Sequence, residues 1–112
     1  LILISSSCIW ENEETLFPDS ELCDTLDVSY ASDVVPILVN NCYSCHSNAN
    51  APSFASGLAL EDHADVSAAS PLVLGAIKHA DGFVPMPKDA DQLDSCSIGV
   101  VEAWINSGSP DN

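Results

Sequence analysis

Apolar residues recur at helical spacing in three stretches of this chain and lose that spacing between them. In the first stretch Val35, Ile37, Leu38 and Val39 supply an apolar face, Ser32 or Asp33 offers an N-cap, and Pro36 suits the first turn. The predicted helix delivers Cys42 and the residues after it. A second helix is predicted from Ser70-Pro71, a cap followed by proline at the first helical position, with Leu72, Leu74, Ala76 and Ile77 carrying it toward Gly82. His79 falls near its end, where the macrodipole favours a cationic imidazole. Asp94 or Ser95 opens the third, in which Ile98, Val101, Trp104 and Ile105 recur at helical spacing before Gly108 and Pro110 stop it. Beyond His46 the pattern dissolves into a loop containing Ser47, Asn48 and Asn50. Leu58-Ala59-Leu60 reads as a short turn or strand, with Glu61, Asp62 and Asp65 facing water. The expectation is an all-α domain of three or more helices.

The first 29 residues carry no such pattern. Leu1-Ile2-Leu3-Ile4, followed by Ser5-Ser6-Ser7-Cys8, reads as the tail of a secretory signal ending in a lipobox, with Cys8 as the lipidated residue. Four apolar residues cannot span a bilayer. Residues 9–29 hold Pro18 and an acidic run, Glu11-Asn12-Glu13-Glu14, and are expected to form an irregular, solvated tether. The expected organisation is a signal remnant at 1–7, a lipid-anchored acidic extension at 8–29 and one domain at 30–112. That places the protein in a bacterial cell envelope, on a periplasmic or outer face.

A chain of 112 residues has room for one domain and is marginal unless something enlarges its core. Aromatic content is only 6%. The 17 acidic residues stand against Lys78 and Lys88 alone, for a net charge of −15. Binding nucleic-acid phosphates needs a basic surface, so that class of partner is excluded. Two readings of the charge stay open: complementarity to a basic patch on a protein partner, or solubility alone.

The candidate chemistry lies in Cys42-Tyr43-Ser44-Cys45-His46, since C-x-x-C-H is the attachment site of a c-type haem, where each thiol adds across one vinyl group and the histidine becomes an axial ligand. Other readings of the motif are a redox CxxC pair and half of a zinc site. Zinc wants four ligands in short-spaced couples, yet Cys8, Cys23 and Cys96 are solitary, and no thioredoxin-like βαβ pattern accompanies the thiol pair. Met86, the single methionine, sits in Gly82-Phe83-Val84-Pro85-Met86-Pro87, where the flanking prolines restrict the backbone. A thioether suits haem iron and raises its potential relative to two imidazoles. The alternative is a methionine filling a core gap. His63 and His79 are rival ligands, although their acidic neighbours point to surface positions.

With these residues the chain resembles the small monohaem cytochromes c of the bacterial periplasm and envelope: a helix running into CxxCH, a Met-Pro loop, and a last helix carrying Trp104-Ile105 before a glycine. The likeness covers Ala31 to Pro110, specific in its motifs and weak elsewhere. It implies a compact fold around one covalent haem c attached at Cys42 and Cys45, with His46 and Met86 as axial iron ligands and the last helix crossing the first. It does not identify the backbone acceptor for the His46 ring. The implied function is one-electron transport in a membrane-associated respiratory chain, as a shuttle or a fixed subunit of a quinol-oxidising or oxidase complex. Redox proteins are the implied partners, and no enzymatic residue set is expected. The alternative is a haem peroxidase or gas sensor with an open sixth iron site. Cys23 and Cys96 remain as a disulfide pair or as two separate buried thiols.

Overall fold

The computed structural model describes residues 23–112. Over that range the protein is all-α. A π-helical turn, Tyr30–Val34, runs into six α-helices: α1 (Val35–Asn41), α2 (Tyr43–His46), α3 (Ala51–Phe54), α4 (His63–Ala68), α5 (Ser70–Ile77) and α6 (Ser95–Asn106). No strand occurs among the described residues, so Leu58-Ala59-Leu60 is an irregular segment and not a strand. The signal remnant, Cys8 and most of the acidic extension lie outside the described residues.

The chain enters helix earlier than its pattern suggests, because the cap is Ser29 and not Ser32 or Asp33. The Ser29 hydroxyl accepts from the Ser32 N–H at 3.1 Å, and the Ser29 N–H donates to Asp33 Oδ2 at 2.7 Å. This reciprocal pair satisfies two exposed donors, as a capping box does, but across the wider first turn of a π-helix. The early start carries Tyr30 and Val34 into the core. Val28 is buried as well, so the tail end of the predicted tether packs against the domain.

Two helices form where a loop and a water-facing stretch were expected. One is α3, with Pro52 in its first turn. The other is α4, which buries Val66 and leads almost directly into α5. Ser70 is the first residue of α5 and not its cap. Its buried hydroxyl bonds the Val66 and Ser67 carbonyls, at 3.2 and 2.8 Å, so it stitches α5 back onto α4. The inward face of α5 is Val73, Ala76 and Ile77, while Leu72 is exposed. That helix also ends at Ile77, five residues before Gly82.

The last helix matches its reading. The Asp94 carboxylate caps it, accepting from the Ser97 N–H at 2.9 Å and the Ser97 hydroxyl at 2.7 Å. These bonds, the hydroxyl's first, hold the Asp94 carboxyl below its usual range. Gly108, at φ 101°, ends the helix in a Schellman turn: its N–H donates to the Ile105 carbonyl, and the Ser109 N–H donates to the Trp104 carbonyl. Helix α6 packs on the π-helical turn and on α5.

The core is centred on Trp104, which is fully buried with Val34, Leu38 and Val66. Tyr30 and His63 pack on the indole, with ring centroids 5.2 and 5.9 Å away, and meet each other edge-on at 4.9 Å. The Trp104 Nε1–H donates to the Pro110 carbonyl at 2.8 Å, and the Asn112 side chain accepts from the Tyr30 N–H at 2.8 Å. The C-terminal residues are thereby drawn across the aromatic cluster. Cys23 and Cys96 are joined in a disulfide, with Cα atoms 5.5 Å apart, which ties the start of the described chain to the first turn of α6.

Candidate cofactor-attachment site

The five residues of the CxxCH motif are wound into one compact turn. Helix α1 ends on Cys42, whose N–H donates to the Leu38 carbonyl at 2.8 Å; the Cys42 carbonyl then accepts from Cys45 and His46, at 3.2 and 2.8 Å. Both cysteines therefore project from successive corners of the same short turn, and His46 closes it. Neither thiol is in a disulfide, and both are half-buried. Burial pushes the Cys42 thiol up to about 11. A reactive redox CxxC needs the opposite, a thiolate favoured near neutral pH. Among the described residues no three His, Cys, Asp or Glu side chains are grouped to hold a metal ion by themselves.

His46 is held by an acceptor that its sequence neighbourhood does not announce. Its Nδ1 lies 2.7 Å from the Leu58 carbonyl, and its own carbonyl accepts from the Leu60 N–H at 2.7 Å. A carbonyl can only accept, so Nδ1 carries a proton, and in the neutral ring the lone pair lies on Nε2. That is the arrangement of a histidine presented to a metal, its outer nitrogen tied to backbone. The loop that brings Leu58 back is built locally. The Asn50 amide donates to the Ser44 carbonyl at 3.0 Å, the Gly57 N–H donates to the Ala51 carbonyl, and Ser56 and Gly57 both turn through positive φ. The Tyr43 hydroxyl reaches the Glu61 carbonyl at 3.3 Å and closes the same loop from outside.

Met86 stands on a separate loop bound to the end of α5. Its N–H donates to the Ala76 carbonyl at 3.1 Å, and its carbonyl accepts from His79 Nε2 at 3.1 Å. The methionine is half-buried and outside any helix, so it is not a core residue filling a gap within a helix. The rival ligands each have one ring nitrogen on a backbone carbonyl as well: His79 Nε2 on that of Met86, His63 Nε2 on that of Ser109 at 2.8 Å. Both are half-buried and not the surface residues their acidic neighbours suggested, because each ring fills a gap between backbone segments.

The donor types are those a haem would take: two thiols in one turn that share no disulfide, an imidazole with Nδ1 on a backbone carbonyl, and a thioether on an anchored loop. The Leu58 carbonyl, the Met86 clamp and the Tyr30–His63–Trp104 cluster were not read from the sequence. A backbone acceptor has no residue signature, the Met86 bonds depend on where α5 ends, and Tyr30, His63 and Trp104 are far apart in the chain.

The chain matches no protein-family model, no curated protein and no solved structure. What the fold and site define is an all-α domain, disulfide-tied between Cys23 and Cys96, that presents a Cys-Cys-His turn and an anchored methionine loop. No helix of the described residues is long and apolar enough to cross a membrane.

Proposed function

We propose that this protein is a monohaem c-type cytochrome that carries one electron at a time, in which Cys42 and Cys45 would attach haem c and His46 and Met86 would ligate its iron. The observation that carries this reading is the 2.7 Å bond from His46 Nδ1 to the Leu58 carbonyl, which would leave Nε2 for the iron beside two thiols that share no disulfide. When bound, the haem supplies an Fe(II)/Fe(III) couple. The chain's own part is to attach the ring, orient the imidazole, present a soft thioether that favours the reduced state and surround the ring with apolar residues. The uncharged Cys42 thiol supports thioether formation over a dithiol redox role.

The proposal extends to setting. Attachment through Cys8 would hold the domain to a bacterial envelope membrane by its acidic tether, and the Cys23–Cys96 bridge accords with an oxidising compartment. The partners are redox proteins of a respiratory chain that offer a basic docking face to a molecule of charge −15. The test is a pyridine haemochrome spectrum of the native protein after denaturation: a c-type spectrum at one haem per chain is expected, and a spectrum without haem overturns the reading. An open sixth site, as a peroxidase or gas sensor needs, predicts rapid carbon monoxide binding without displacement of Met86.

A further inference from the structure

Helices α5 and α6 end in the same hydrogen-bonded turn but place different residues at its critical position. In α6 the residue that swings into the left-handed region is Gly108, the usual choice because it has no Cβ. In α5 the bonds are the same: the His79 N–H donates to the Ala76 carbonyl at 3.2 Å, and the Ala80 N–H donates to the Gly75 carbonyl at 3.0 Å. The residue at positive φ, however, is His79, at 54°. A side chain there costs backbone free energy that glycine would avoid, and such an outlier points toward a local task.

The task is visible in what the imidazole touches. From that left-handed position His79 Nε2 reaches the Met86 carbonyl at 3.1 Å, and the carbonyl can only accept. The Met86 N–H is bonded to Ala76 on the same helix end. Met86 is thus gripped on both of its backbone polar groups by one turn of structure. A third contact seats the same loop: the Phe83 ring lies so close over Gly75 that a Cβ there would meet it at 2.5 Å.

We propose that His79 is the positioning residue for Met86, a clamp whose hydrogen bond holds the methionine loop onto α5 so that the thioether is presented as an iron ligand. This deepens the cytochrome reading and rests on it. Because Nε2 must donate whether the ring is neutral or cationic, the clamp is a matter of geometry and needs no change of protonation.

The two alternatives to histidine separate the clamp from the cap. His79→Gly removes the donor while supplying the residue best suited to the turn; His79→Gln keeps a side-chain N–H that can reach a carbonyl. All variants are compared as haem-loaded protein with matched helical circular dichroism. For His79→Gly the reduction potential falls, the far-red sulfur-to-iron charge-transfer band of the ferric protein weakens, and added imidazole binds about tenfold more tightly, the change that loss of one ordinary hydrogen bond allows. His79→Gln stays close to wild type in all three. A glycine variant with wild-type potential, band and imidazole affinity overturns the proposal, and so does a glutamine variant that behaves like the glycine one. Met86→Ala serves as reference. If it too leaves the three readouts unchanged, the ligand assignment itself falls and the clamp with it, whereas a responsive Met86→Ala beside an inert His79→Gly overturns the clamp alone.

Discussion

Tyr30 shows at the residue scale how a side chain can be well packed and poorly satisfied at once. Its ring packs against Trp104 and meets His63 edge-on, yet its buried hydroxyl has no hydrogen-bond partner among the described residues. Burial first, and then the negative fields of Tyr43, Asp111 and Asp62, push its ionisation up to about 12 from 10.0. The folded state therefore keeps the phenol proton to higher pH than the unfolded chain does. That contribution to stability is intact below pH 10 and is lost as the pH rises toward 12. Tyr30→Phe keeps the ring and removes the unpaired hydroxyl, so stability at neutral pH is expected to rise by roughly 1 kcal/mol. Chemical denaturation at pH 7 and pH 10.5 checks both points: the wild type should lose more stability between the two than the variant does. A variant less stable than wild type at pH 7 would reveal a partner for the hydroxyl.

Among the elements, what could be read from the chain and what could not divide along a physical line. Helix α6 was legible because Asp94, the apolar series through Trp104 and Gly108 each act locally, within one turn of their neighbours. The CxxCH turn was legible for the same reason. Helix begins before the caps that local propensity offers because an aromatic residue, Tyr30, extends it backward to reach the core, a tertiary effect that propensity does not register. Helices α3 and α4 are 4 and 6 residues long, too short to display a period, and exist by virtue of what they pack on. The end of α5 is not legible because its stop residue is His79 and not a glycine. Since the Asp94 cap is local, Asp94→Ala should cost about 1 kcal/mol of stability. The Asp94 carboxyl titrates below its usual range when folded, so its contribution is present at neutral pH and is lost as the pH falls through that lowered value. Equal denaturation midpoints for variant and wild type at pH 7 would contradict the cap.

At the scale of the whole domain, a covalent tie joins the start of the described residues to the last helix. The Cys23–Cys96 bridge spans 73 positions and links the tether side of the domain to α6. In chain-entropy terms a loop of that length stabilises by roughly 4 kcal/mol. The double variant Cys23→Ala/Cys96→Ala should show that loss in reversible denaturation, and free thiols at both positions in non-reducing peptide mapping of the native protein would contradict the bridge. The ion pair between Lys78 and Glu102 is exposed, and with one of only two lysines engaged there the acidic field is left nearly uncompensated. Encounter with a basic redox partner should accordingly slow as ionic strength rises. The most direct measurement of the central claim is intact-mass spectrometry of protein from a host with haem-attachment machinery, after extraction with acidified organic solvent. Wild type should retain the mass of one haem, and Cys42→Ala/Cys45→Ala should lose it. A wild-type chain carrying no added mass would contradict the account.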